Sequence, residues 1–303
     1  MGLSARGVPP AGELDRGNWI GGTGLGETVL TTTTDGLWVL QVLSRTEVLA
    51  PELGLRPYLP SVETEQLALR HPVAEELRSA GVINDHGGID DILLEWLTVL
   101  SRRDVALLLD VRVPTPQGLP ERVMLARFAQ WWVTLERRGS MVRLSGVGVA
   151  TTEESAATLI SAQIQRSCGA MRPAAFRPVT LGTADLLANV SDGESLRRFL
   201  HNRHFDNDQI AVLALAADTG RSAQAWIVAL QSAATGPTPT IESGAVTLID
   251  TPVGRLVSER VDGGDRTWMI LSPGSDTVIA AAVQRMMRRL PARDAWHSHR
   301  KAI

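Results

Sequence analysis

The segment Val105-Ala106-Leu107-Leu108-Leu109-Asp110-Val111-Arg112-Val113 decides the fold class. Val105, Leu107, Leu109, Val111 and Val113 recur at every second position, which places them on one face of a β-strand and does not fit a helical stripe. Three further strands follow at about Arg122 to Gln130, Trp131 to Arg137 and Met141 to Val147, with Arg138-Gly139-Ser140 as a hairpin turn. Connections this short join antiparallel neighbours, so the four strands form a meander. In the Trp131-Trp132 pair successive side chains alternate, so one ring points into the core and the other outward as a candidate contact residue.

Outward from this meander the pattern is helical. Thr28 to Thr34 reads as a strand, Asp35 as the N-cap of a short helix carrying Leu37, Leu40 and Leu43, and Pro51, Pro57 and Pro60 as punctuation of a connector. Two helical patterns cover about Glu63 to Ala80 and Asp90 to Leu100. After the meander, Thr151 with Glu154 has the spacing of a capping box opening a helix whose stripe is Ala156, Leu159, Ile160 and Ile164.

The same order then recurs. Phe176 to Leu181 reads as a strand, and Ala184 to Val190, Glu194 to His201 and Asp206 to Ala217 as helices. A second meander spans Arg221 to Gln231, Gly244 to Asp250, Val253 to Arg260 and Arg266 to Leu271. Ser275 then caps a last helix that Pro291 stops. Residues 1–27 read as a flexible leader, 28–170 as a first half and 171–303 as a second half of the same element order. The expected fold is α+β and quasi-twofold, a duplicated arrangement that pairs its meanders in a central antiparallel sheet flanked by N-terminal and C-terminal helical bundles. The other reading is a chance likeness of element order within an α+β protein.

Composition narrows the function. The 303 residues carry 33 acidic and 30 basic side chains, a formal charge of −3, which leaves no basic excess for a nucleic-acid partner. Cys168 is the single cysteine, so neither an internal disulfide nor a thiolate zinc cage is available, and a reducing cytoplasm is expected. The longest apolar run, Ile210 to Ala217, is far short of the ~18 residues a membrane span needs.

Catalytic and cofactor motifs find little support. The glycines of Gly22-Thr23-Gly24-Leu25-Gly26 precede a strand, whereas a phosphate loop must open a helix. His201 and His204, with Asp206 and Asp208 beyond them, lack a marked third metal ligand. Asp90 and Asp91 suit the first turn of a helix better than acid–base work, and Cys168 has no histidine near it in sequence. No catalytic residue, metal or cofactor is expected. A broad sheet with amphipathic helices and no catalytic constellation fits a binding scaffold.

Asp35-Gly36-Leu37-Trp38-Val39-Leu40-Gln41, Ala50-Pro51-Glu52-Leu53-Gly54-Leu55-Arg56-Pro57 and Ile249-Asp250-Thr251-Pro252-Val253-Gly254-Arg255 carry a resemblance to a known family. So does the run from Leu271-Ser272-Pro273-Gly274-Ser275 through Ala282-Val283-Gln284-Arg285 to Arg289-Leu290-Pro291 and Trp296. In their shared order these resemble the EspG family of ESX (type VII) secretion-associated proteins of mycobacteria, over about Thr28 to Ile303. The likeness is greatest to the paralogue of the second ESX system.

The resemblance implies a cytoplasmic chaperone, not an enzyme, that binds the PPE subunit of a PE–PPE heterodimer, covers its apolar helical tip and helps target it for export. It implies a monomer in a 1:1:1 complex, without membrane insertion, and a tip docked on the central sheet and C-terminal bundle with help from the loop between the first two meander strands. Here that loop is Pro114 to Pro120. The partner-binding residues so implied are Arg112, Val113, Thr115, Gln117 and Leu119 at the loop, Arg197, Arg198, His201, Gln209 and Leu213 in the bundle, and Gln231 and Asp250 on strands. Selection among paralogous tips is expected in the loop and around Arg197, Arg198 and Asp250. Two other readings stand beside this one. One is a hydrolase or transferase whose site, around His201, His204 and Asp208, assembles only in the fold; the other is a subunit of a membrane-associated machine.

Overall fold

A computed structural model describes residues 29–114, 119–233, 239–242 and 244–301; the expected leader and part of the Pro114 to Pro120 loop lie outside them. The first half runs β1 (Val29–Thr33), α1 (Thr34–Leu43), α2 (Glu65–Leu69), α3 (Pro72–Ser79), α4 (Asp91–Arg102), β2 (Val105–Arg112), β3 (Glu121–Phe128), β4 (Trp131–Arg138), β5 (Met141–Val149) and α5 (Glu153–Cys168). The second runs β6 (Val179–Gly182), α6 (Thr183–Asn189), α7 (Gly193–Asn202), α8 (Asn207–Ala217), β7 (Ala223–Gln231), β8 (Thr240–Ile241), β9 (Val246–Thr251), β10 (Gly254–Asp262), β11 (Thr267–Pro273) and α9 (Asp276–Arg288).

All these strands join one sheet in the order β1-β5-β4-β3-β2-β7-β9-β10-β11-β6, with β8 added beside β7. The two meanders meet where β2 pairs antiparallel with β7, from Val105 opposite Gln231 to Arg112 opposite Gln224. Outward from this seam the order is β3, β4, β5, β1 on one side and β9, β10, β11, β6 on the other.

Period-two alternation splits the core between the sheet's faces. Val105, Leu107 and Leu109, with Ile227, Ala229, Val246 and Leu248, pack under α5 and α9. On the opposite face, Ala106, Met124, Ala126 and Leu230 lie under the bundle of α1 to α4. Val179, Ile249, Leu256 and Leu271 lie under the bundle of α7 and α8. Of the tryptophan pair, Trp132 is buried and Trp131 is half exposed.

Several boundaries differ from the sequence-based expectation, each for a local reason. Thr33, not Asp35, caps α1, its hydroxyl accepting from Gly36 N–H at 3.1 Å. The single pattern over Glu63 to Ala80 is two helices, because Pro72 starts α3 afresh at N1. The capping box is Thr152 with Ser155, one position later than Thr151 with Glu154; each hydroxyl accepts from the other's backbone N–H at 3.1 Å. Ladder pairing of β6 begins only at Val179, after Pro178, which has no N–H to give.

The C-terminal segment ties the two halves together. Asp104, fully buried, accepts from Ala129 N–H at 2.9 Å and Lys301 N–H at 2.7 Å. Arg127 donates to the carbonyls of His299 at 2.6 Å and Ala129 at 2.9 Å. Burial pushes the Arg127 guanidinium down to about 10, which leaves it charged at neutral pH.

Glu153, at the first turn of α5, accepts from Arg288 of α9 at 3.0 Å and from the indole of Trp296 at 3.2 Å. The Arg288 hydrogen bond, together with those from Trp296 and Gln284, holds its carboxyl below the usual range. A depressed folded-state pKa contributes stability that is present above the unfolded value of ~4.3 and is lost as pH falls through the folded value. Glu153→Gln is therefore expected to lower stability at neutral pH, with the gap to the parent closing as pH drops below ~4. Denaturant unfolding at stepped pH measures both.

Candidate functional site

On β2 the even-numbered residues face the helical bundles. Leu108, Asp110 and Arg112 stand in register with Val228, Trp226 and Gln224 of β7. The N-terminal bundle reaches Leu108, and the core under the C-terminal bundle lies farther out on β9 to β11 and β6. Asp110, Arg112 and Trp226 belong to no core cluster, so this end of the seam is a floor that neither bundle's core covers.

The floor is organised around one carboxylate. Asp110 Oδ1 accepts from Arg112 Nε at 3.1 Å, and its Oδ2 lies 3.6 Å from Nε of Arg122, its cross-strand neighbour on β3. The Arg112 guanidinium stacks 4.8 Å above the ring of Trp226. Two guanidinium groups against one carboxylate leave a net positive corner, with Arg112 61 % and Arg122 43 % exposed. Pairs this exposed add at most about 1 kcal/mol each to stability, so the cluster's main effect is to orient cations. One wall is the Gly54 turn of the N-terminal bundle, against which Arg122 lies. The other is the end of α8, where Gln224 Nε2 donates to Ala216 O at 3.4 Å.

Beyond that second wall a cleft of about 520 Å3 opens between α7 and α8, lined by Val190, Asp192, Leu196, Arg197, Ala214 and Asp218. Arg197, Arg198 and His201 are exposed on α7. Asp192 caps α7, and its hydrogen bonds from the backbone and hydroxyl of Ser195 hold its carboxyl below the usual range.

The expected partner-binding residues divide. Arg112 lies on the seam floor; Val113, 46 % exposed, precedes the loop and Leu119, 56 % exposed, lies within it; Thr115 and Gln117 lie outside the described residues. Gln209, Leu213 and Gln231 are buried, which corrects the expectation that they present a surface. Gln209 completes the α8 capping box with Asp206 and donates to Arg177 O at 3.1 Å. Leu213 sits in the C-terminal core, and Gln231 accepts from Ala292 N–H at 2.9 Å.

Asp250 shares its side of the sheet with Leu248, away from the bundles, and holds Arg255 in a two-toothed ion pair at 2.6 and 2.7 Å. Arg255, 3 % exposed, also donates to the carbonyls of Cys168 and Gly169 that end α5. Asp250 is therefore a structural anchor.

Asp110, Arg122 and Trp226 were not expected. Alternation alone could have put Asp110 with Arg112, but the place of Trp226 depends on the β2–β7 pairing, which joins strands far apart in the chain.

Of the remaining candidates for chemistry, His201, His204 and Asp208 are exposed at the surface. Asp206 caps α8 and takes Arg177 at 2.6 Å, the Arg177 hydrogen bond holding its carboxyl below the usual range. Burial pushes the Cys168 thiol up to about 11, away from thiolate chemistry. Among the described residues no group of three or more His, Cys, Asp or Glu is placed to hold a metal ion, and no helix is long and apolar enough to cross a membrane. Trp131, with Ile92, Trp96 and Val147, lines a separate concavity of about 850 Å3 between α4 and the strands β4 and β5.

Comparison with known proteins is consistent along the chain. The sequence model of the EspG family matches residues 33–285. The ESX-2 secretion-associated protein EspG2 of Mycobacterium tuberculosis is 46 % identical over 279 residues, covering 91 % of this chain and 100 % of that protein. The ESX-5 secretion-associated protein EspG5 of Mycobacterium marinum is 25 % identical over 303 residues, covering 90 % of this chain and 97 % of the relative. In fold, the chain matches the Mycobacterium tuberculosis type VII secretion system chaperone EspG5 in its complex with a PE25-PPE41 dimer. The TM-score is 0.70 at 22 % identity, over 90 % of this chain and 100 % of that one.

Asp250→Ala would strand the buried Arg255 charge and is expected to cost about 3–5 kcal/mol of stability. The double change Asp250→Leu with Arg255→Met should recover much of that loss. Denaturant unfolding of both variants tests whether Asp250 anchors the fold.

Proposed function

The chain belongs to the EspG family, and from that premise we propose that it is a cytoplasmic chaperone of a type VII (ESX) secretion system that binds the PPE subunit of a PE–PPE heterodimer before export. The observation that carries this reading is a family match along most of the chain combined with an open floor at the β2–β7 seam, beside the α7–α8 bundle. The related fold seen bound to a PE25-PPE41 dimer supports the class of partner. The 46 % identity to EspG2, against 25 % to EspG5, favours the second ESX system.

The chemistry is that of shielding. A helical tip with exposed apolar groups associates with its like in water, and covering it removes that area at about 25 cal/mol per Å2. Leu108, Val228 and Trp226 offer a half-buried apolar floor for such a tip, and the charged rim limits which tips fit. A rigid floor between two packed bundles loses little freedom on binding, which favours affinity over a loop-built site.

Co-expression with a PE–PPE pair of the same ESX system is expected to give a soluble 1:1:1 complex by size-exclusion chromatography with light scattering. Absence of a complex with that pair and with every other PE–PPE pair tested would overturn the proposal.

A further inference from the structure

We infer that the seam selects a tip with an acidic edge: a carboxylate on the docked protein is received by Arg112 and Arg122 while the tip's apolar side chains cover Trp226. This rests on the reading that a PPE tip docks at the seam.

The charge arithmetic is local. The chain as a whole is acidic at −3, yet this corner sets two guanidinium groups against the one carboxylate of Asp110. Arg112 forms no hydrogen bond among the described residues beyond the one from Nε to Asp110, so its terminal nitrogens are free to donate. The contact with the Trp226 ring and the hydrogen bond to Asp110 restrain the group, so less side-chain freedom remains to be lost when a carboxylate meets it.

The same geometry acts against other occupants. A wholly apolar tip that covered Trp226 would strip water from Arg112 and return nothing to its donors, a cost that rises with the depth of docking. A neutral acceptor would satisfy the donors but leave the surplus charge in a drier place, whereas a carboxylate answers both.

The test titrates the purified full chain with its PE–PPE heterodimer, comparing the parent with Arg112→Glu, Arg112→Lys and Arg122→Glu. Arg112→Glu is expected to weaken binding by about tenfold or more. Arg112→Lys should fall between, because it keeps the charge but loses the planar fork. Parent affinity should drop between about 50 and about 500 mM salt, and the Arg112→Glu affinity should respond less. Replacing the acidic residues of the tip one at a time with Arg should find one exchange that restores binding to Arg112→Glu, and thermal unfolding should show that variant folded.

Unchanged affinity of Arg112→Glu for a heterodimer that the parent binds would overturn the inference and leave the proposed function standing. Loss of affinity that no tip exchange restores would overturn it as well. Failure of the parent to bind any PE–PPE pair would overturn the function and the inference together.

Discussion

Everything in this molecule depends on the ladder between β2 and β7. It turns two meanders into one sheet, supplies the floor on which both bundles stand, and sets Asp110 and Arg112 beside Trp226 and Gln224. A slip of one residue would move Leu107 and Leu109 out of the core beneath α5 and α9 and send Arg112 into it. Burial of that face, more than any single hydrogen bond, fixes the register.

The two faces of the sheet have different duties for the same reason. The α5–α9 face is closed, and several of its polar residues tie elements together: Gln231 holds Ala292, Asp250 holds Arg255, and Glu153 holds Arg288 and Trp296. The bundle face is open at one end of the seam, where the charged groups are exposed and contribute little to stability.

That division explains what could be read from the amino-acid sequence and what could not. The strands were legible because Val105, Leu107, Leu109, Val111 and Val113 write their period plainly, and most helices because their stripes and caps are local. Cap positions slipped by one or two residues where neighbouring hydroxyls compete, as Thr151 and Thr152 do. Gln231 and Asp250 were misplaced because alternation says that two residues share a face without saying which face is covered. Gln209 and Leu213 stood in the right bundle, but which side of a short helix turns inward depends on what packs against it. Trp226 was missed because its neighbours come from the other half of the chain.

The seam also bears on how the protein comes to be competent. Val105 must find Gln231, and Arg112 must find Gln224, only after most of the chain has emerged, so this ladder is a contact of high sequence separation and closes late. A chain whose first half alone has folded has Arg112 and Asp110 but no indole to stack on. The seam floor thus comes into being only when the two halves pair, and a first half folded alone does not have it.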